Sequence, residues 1–314
     1  MRNKKVVIIG GGHGTSTILR GIKHIEELDI SAIITVADDG GSTGRLRQYY
    51  DIPAMGDIRN VLISLADKET LIEGLMNFRF EGNEEEDIVG HNLGNLILTA
   101  LTETTGSFLE AITTLSNVLN VKGEIIPSSL DLITLFAKME DDTIVRGETN
   151  IPNKNNRIKK VYYNDPVKAN KHAIDAINNA DYIIYGIGSI YTSILANVII
   201  DEIKDAINTS NAPKIYFSNV MTQPGETDDY SLEEHVQALL THGAQVDYVV
   251  RHNDSIPNKL LNKYLELNSK EVIIRQDKHK YKILEYPLLD INNDYIRHDP
   301  NKIKECLINI FKVL

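Results

Sequence analysis

Four glycine-, aspartate- and asparagine-rich stretches hold most of the residues in this chain that could do chemistry. The first, Gly10-Gly-Gly-His-Gly-Thr15, follows a β-branched run and precedes apolar residues at Ile18, Leu19, Ile22 and Ile25, spaced for one face of a helix. A glycine turn in that position lets backbone approach a phosphate, and the helix behind it offers free N–H groups and the positive end of a dipole. Gly10, Gly11, Gly12, His13, Gly14 and Thr15 are therefore candidate phosphate contacts. Read as G-x-G-x-x-G the motif is incomplete, because Thr15 stands at the third glycine, and no G-x-x-x-x-G-K-[ST] follows. A turn needed only for tight strand-to-helix packing is the alternative.

The second stretch, Asp38-Asp-Gly-Gly-Ser-Thr-Gly-Arg-Leu-Arg47, ends another apolar run. Asp38 and Asp39 could hold a divalent cation or a sugar hydroxyl, or one of them the ribose of NAD. Gly40, Gly41, Ser42 and Thr43 could form an anion nest, with Arg45 and Arg47 neutralising phosphate; helix capping by Asp39 or Ser42 is the bland reading. The third set is Gly56-Asp-Ile-Arg-Asn60 with Gly90-His-Asn-Leu-Gly-Asn95. Asp57 opens an apolar-periodic segment and reads as an N-cap, while Arg59 and Asn60 follow it. Asn92 and Asn95, three apart, would share a helix face and could read a base or ribose edge; His91 beside them is weak evidence by itself. The fourth set repeats the glycine turn at Gly186 and Gly188 ahead of Ser189, Thr192 and Ser193. A long polar loop, Ser218 to Asp228, carrying Asn219, Thr222 and Gln223 completes it.

These loops need strands to end on. Short apolar runs alternate with helical periodicity at both ends of the chain, which predicts an α/β protein with a doubly wound, mostly parallel sheet. Between residues 122 and 163 the pattern changes to short segments, at 123–126, 130–137, 143–146 and 157–163, separated by turn formers. This predicts a small antiparallel β excursion inserted in one α/β domain spanning residues 1–314. The acidic segment 81–87 reads as an exposed loop.

Composition narrows the partners. Lys and Arg number 33 against 44 Asp and Glu, a net charge of -11 that repels a nucleic-acid backbone, so nucleic acid is not an expected partner. The modest basic cluster at 150–160 lacks interleaved aromatics and reads as a solvated turn. Cys306, the sole cysteine, precludes an intramolecular disulfide and suits a reducing compartment. The apolar run at 6–9 is too short for a signal sequence and no run could span a membrane, so a cytoplasmic location is expected. The other histidines lack zinc-site spacing and no G-x-S-x-G elbow occurs.

Taken together, Ile9-Gly-Gly-Gly-His-Gly-Thr15, Thr35-Val-Ala-Asp-Asp-Gly-Gly-Ser-Thr-Gly-Arg-Leu-Arg47, Gly56-Asp-Ile-Arg-Asn60, Gly90-His-Asn-Leu-Gly-Asn95, Gly188-Ser-Ile-Tyr-Thr-Ser193 and Asn219-Val-Met-Thr-Gln-Pro-Gly-Glu-Thr227 resemble, in order, the bacterial gluconeogenesis factors. That branch belongs to the 2-phospho-L-lactate transferase (CofD-like) superfamily. His13 stands where the family usually has Thr, and Ile187 where it usually has Pro. The resemblance implies a Rossmann-like fold, a cytoplasmic location, binding of a uridine-diphosphate sugar, and a role in cell-shape maintenance and growth on gluconeogenic carbon sources. It assigns no reaction to this branch. Three readings follow: a nucleotide-sugar-binding regulator; a transferase of phosphorus-containing groups in which Asp38 or Asp39 holds Mg²⁺; and, more weakly, an NAD-dependent oxidoreductase. A homo-oligomer is compatible with all three.

Overall fold

Strands buried on both faces of a parallel sheet read as unbroken apolar runs, because helices cover each side. Residues 6–10 of strand β1 (Lys4–Gly10) are all buried, as are all of β7 (Tyr182–Tyr185) and β8 (Lys214–Phe217). With β2 (Leu28–Ile34), β3 (Glu124–Pro127), β9 (Tyr248–His252) and β10 (Lys282–Tyr286) they form a seven-stranded, wholly parallel sheet of order β10-β9-β8-β7-β1-β2-β3. The computed structural model describes residues 2–83, 87–154, 156–292 and 295–314, so the middle of the acidic segment 81–87, and Asn155 of the basic cluster, lie outside the described residues.

The helices are α1 (His13–Ile22), α2 (Gly41–Tyr50), α3 (Gly56–Leu65), α4 (Glu69–Met76), α5 (Leu93–Thr105), α6 (Phe108–Val118) and α7 (Lys171–Asn178). After them come α8 (Ala196–Val198), α9 (Asp201–Thr209), α10 (Leu232–Thr241), α11 (Asn258–Glu266) and α12 (Pro300–Val313). A π-helical turn, Ile190–Leu195, precedes α8. α1 packs against α3 and α12, α5 against α6, and α7 against α9. The result is an α/β, Rossmann-like architecture whose strand order reverses between β1 and β7. Ligands of open α/β sheets bind outside the carboxyl ends of the strands at such a reversal.

The antiparallel excursion is narrower than the sequence pattern suggests. Residues 123–126 belong to β3, the edge strand of the main sheet, paired in parallel with β2 from Ser31↔Glu124 to Ile34↔Pro127. Turn residues at Lys122-Gly123 imitate the start of a new unit, but Ile125, Ile126 and Pro127 are buried like the other main-sheet strands. The excursion proper is the sheet β5-β4-β6, built from β4 (Phe136–Met139), β5 (Ile144–Arg146) and β6 (Ile158–Tyr162), and residues 130–135 precede it as irregular chain. A hairpin of β11 (Leu289–Ile291) and β12 (Ile296–His298) leads into α12. Among the described residues no helix is long and apolar enough to cross a membrane.

Helix α10, in the second half, starts with a reciprocal cap. Ser231 Oγ accepts the Glu234 N–H at 3.3 Å, and Glu234 Oε2 accepts the Ser231 N–H at 2.8 Å. Ser231→Ala removes one half of this box and should cost about 1 kcal/mol. The cost should appear as a lower denaturant midpoint with an unchanged slope; an unchanged midpoint would show that the cap is not needed.

Candidate active site at the strand-order reversal

The two glycine turns meet at the reversal. β1 runs out at Gly10 and α1 starts at His13 with no side-chain cap, while β7 runs out at Tyr185 and the Ser189 hydroxyl caps the π-helical turn through the Thr192 N–H at 2.9 Å. A Cβ at Gly14 would overlap the Ile187 carbonyl, so helix α1 and the second turn are in backbone contact. Thr15 is fully buried between the turns beside Gly10 and Gly186, its Oγ1 without a partner. Asn219 ties the long polar loop to the second turn: its Oδ1 accepts the Gly188 N–H at 3.2 Å and its Nδ2 donates to the Gly188 carbonyl at 2.8 Å.

The floor of the cleft is acidic. Asp57 lies in the first turn of α3, behind the N-cap Met55, and does not cap its own helix. Its carboxylate instead accepts the Gly12 N–H, and a Cβ at Gly11 would lie 2.8 Å from its Oδ2. Burial, then repulsion from Asp38, pushes the Asp57 carboxyl up to about 7. Asp38 accepts the Gly40 N–H at 2.9 Å and a hydrogen bond from Thr43, yet burial and the adjacent Asp39 still raise it. Glu148, on the loop after β5, is raised well above the ordinary range, first by burial and then by Asp57 and Asp38. Its Oε2 is buried with no hydrogen-bond partner among the described residues. Glu226, on the polar loop, is raised to about 7 by burial even though Ser189 and Thr192 hydrogen-bond to it.

Cations border this floor without neutralising it. Arg59 spans α3 and α5, donating from Nη1 to Asn95 Oδ1 at 2.9 Å and from Nη2 to Asn60 Oδ1 at 3.1 Å, while its buried Nε has no partner. His13, whose Nδ1 lies 3.4 Å from Asn60 Nδ2, is held toward its neutral form by burial and by Arg59, Arg20 and Arg297. The chemistry of Asp38 and Asp57 fits Mg²⁺: burial opposes the charge of each, Asp39 adds to that at Asp38 and Asp38 at Asp57, and a cation would relieve both. Among the described residues no three His, Cys, Asp or Glu side chains are grouped to hold a metal by themselves. Mg²⁺ commonly takes one or two carboxylates, keeps several waters and completes its shell with substrate phosphates.

Comparison with known proteins gives the family. The family model described as 2-phospho-L-lactate transferase CofD matches residues 6–290. The chain belongs to that CofD family. It is 43% identical over 314 residues to the gluconeogenesis factor of Bacillus subtilis, covering 98% of each, and 43% identical over 317 residues to that of Halalkalibacterium halodurans, covering 98% of this chain and 97% of the relative. A crystal structure of a UPF0052-family protein from Bacillus halodurans superposes with a TM-score of 0.92 at 41% identity, covering 98% of this chain and all of that one.

Several residues that the sequence singles out are placed differently in this CofD-family chain. Gly41, Ser42, Thr43 and Arg47 are not a free nest but lie on α2, because Gly40 acts as its extended N-cap. Asp39 turns away from Asp38 and accepts both the N–H and the hydroxyl of Thr149, at 3.0 and 2.9 Å. Arg47 donates from Nη1 to the Asp38 carbonyl at 2.8 Å and from Nη2 to the Ile133 carbonyl at 2.5 Å, so its fork braces the acidic loop. Asn92 and Asn95 are buried. Asn92 caps α5 through the Asn95 N–H, and the Asn95 amide reaches Ser42 Oγ and Thr43 Oγ1 as well as Arg59, which joins α2, α3 and α5. His91 Nδ1 meets Ser42 Oγ at 3.1 Å. Thr222 is likewise buried, bonded through its backbone and hydroxyl to residues 269–270, and Gln223 Nε2 donates to Glu226.

Three site-facing residues carry no sequence signal of their own. Glu148 and Thr149 sit in the excursion, where Gly147-Glu-Thr-Asn150 reads as an ordinary turn, and Arg297 comes from the last hairpin. Glu226 stands inside a quoted motif, but nothing in its spacing marks it.

Proposed function

We propose that this chain binds a uridine-diphosphate sugar across the β1/β7 reversal with Mg²⁺ beside Asp38 and Asp57, in the cytoplasm, and serves growth on gluconeogenic carbon sources and cell-shape maintenance. The observation that carries the reading is the contact of two glycine turns, each opening a helical segment, above a carboxylate floor. Helix N-termini attract the diphosphate, and the floor repels it unless a cation is present. The names of the relatives favour the carbon-source role, and the motif resemblance favours the nucleotide sugar. When bound, Mg²⁺ would supply charge neutralisation and a template for phosphate oxygens.

The chain's own groups then divide the work. Gly11 and Gly12 let the turn lie against Asp57, because a Cβ at either would crowd its carboxylate, with Ser193 or Asn60 beside it, and the ligand's phosphates would meet the N–H groups at the start of α1. Gly188 and Ser189 present the second turn, held by Asn219 and Glu226. A transferase of phosphorus-containing groups is the second reading, favoured by the match to the CofD model and by a carboxylate pair that could hold the Mg²⁺ needed to neutralise a leaving diphosphate.

Calorimetric titration tests both readings. Uridine-diphosphate glucose and uridine-diphosphate N-acetylglucosamine in Mg²⁺ should bind at least about tenfold more tightly than uridine monophosphate, since each charged hydrogen bond contributes about 1.5 to 3 kcal/mol. Equal affinities would return the glycine turns to a packing role. Consumption of the diphosphate donor would decide for the transferase.

A further inference from the structure

A cavity opens beside Asp39, and none of the glycine-turn residues is among those that line it. It measures about 420 Å³ and lies between α2 and the excursion, with Arg47 and Gln48 on one wall and Arg146 and Asn150 on the other. A smaller cavity of about 380 Å³ adjoins it through Leu132, Thr134 and Arg146. Both volumes are in the range of small-molecule sites.

The lining has a defined chemistry. Arg47 is locked by two backbone carbonyls, which fix its position and leave its positive charge uncancelled by any hydrogen-bonded carboxylate. Arg146 is exposed, and its guanidinium makes no hydrogen bond or ion pair among the described residues; only its backbone carbonyl is used, by Asn150 Nδ2 at 3.0 Å. Asp39, the acid on this wall, is engaged by Thr149. Two guanidinium groups against one carboxylate, Asp39, thus line one cavity in a chain of net charge -11. Leu132, an apolar side chain left 49% exposed, forms the remaining wall.

We propose that this cavity binds a second small molecule, an organic anion whose carboxylate or phosphate is held by Arg146 and Arg47 and whose carbon skeleton rests on Leu132. Arginine suits either anion, because its planar fork matches both in bidentate geometry. The Arg47 brace fixes one end of the cavity, and Arg146 supplies the unengaged fork at its mouth. A ligand seated here lies beside Asp39. The proposal does not depend on the nucleotide-sugar reading.

The test uses citrate and glucose 6-phosphate as carboxylate and phosphate probes, with neutral glucose as control. Either anion should raise the melting temperature of the full chain in a saturable manner, and glucose should not. Phenylglyoxal modification of Arg146, followed by peptide mapping, should slow at least about threefold when the anion is present. Arg146→Ala, an exposed substitution, and Leu132→Glu, which brings a like charge into the cavity, should each weaken the anion about tenfold or more, whereas Arg157→Ala on the excursion's other edge should not. Absence of a saturable shift with both probes, or a shift that survives both cavity variants, overturns the proposal. So does loss of uridine-diphosphate-sugar affinity in Arg146→Ala, which would make the cavity part of the nucleotide site. Failure of the wild-type chain to bind a nucleotide sugar would remove the functional reading and leave this one standing.

Discussion

Asp57→Asn should make the protein more stable at pH 8 in the absence of divalent cations. The carboxyl is raised to about 7 from an ordinary value of about 4, so the folded state holds its proton more tightly than the unfolded chain. Between those two values the folded state binds more protons, and stability therefore falls as pH rises through the window and stays low above it. Three pKa units correspond to about 4 kcal/mol at most. Water reaches this half-buried side chain and neighbouring acids share its proton, which brings the expected gain nearer to about 2 kcal/mol. Asparagine can still accept the Gly12 N–H, so the geometry of the loop is kept. In a chain of this size the gain should appear as a rise of about 3 °C in melting temperature. As pH falls to about 3, below the ordinary value as well as the folded one, the carboxyl is neutral in both states and the two melting temperatures should converge. Mg²⁺ at pH 8 should stabilise the wild type more than the variant. A variant that is destabilised equally at both pH values would show that Asp57 acts by shape alone and that the floor carries no unrelieved charge.

Asp57 also marks the boundary of what one-dimensional reading could reach. The strand-end glycine turns, the parallel sheet and the place of the site follow from short-range patterns: apolar runs ending in glycine, then helical spacing. Those patterns are local, and the structure places Gly10–Thr15 and Gly188–Ser189 at the strand-order reversal. Segment 123–126 was misplaced because a parallel strand's partner is fixed by distant chain, here β2 about ninety residues earlier, and the local turn signal dominated. The asparagines of α5 looked like ligand readers, since two amides on one face are equally suited to a base edge or to bracing helices. Only the packing of α2 and α3 against α5 decides for the brace. Glu148 was illegible for a third reason. Its character comes from burial beside Asp38 and Asp57, about ninety to a hundred and ten residues away, whereas its own neighbours describe a polar turn.

Replacing Gly14 by alanine should destabilise the fold and loosen the ligand site together. The position has ordinary helical backbone on α1, so a methyl group there would normally be favourable. Here the added Cβ would overlap the Ile187 carbonyl and crowd the Gly188 nitrogen, both backbone atoms that cannot rotate aside. Relief requires that α1 and the second glycine turn separate by a substantial fraction of an ångström. Overpacking of this kind costs about 1–3 kcal/mol, and the upper end applies because backbone meets backbone. Gly74→Ala on α4 is the matched control: nothing lies within 4 Å of its added Cβ, and it should be neutral or stabilising by up to about 1 kcal/mol. If the two turns hold one diphosphate between them, Gly14→Ala should also weaken a uridine-diphosphate sugar by about a hundredfold at a temperature where the variant remains folded, because misplacement by about 1 Å is costly to oriented contacts. Gly74→Ala should bind as the wild type does. Full stability in Gly14→Ala would show that the turns are not in contact. Lost stability with unchanged affinity would confine the contact to packing and take the second turn out of the binding site.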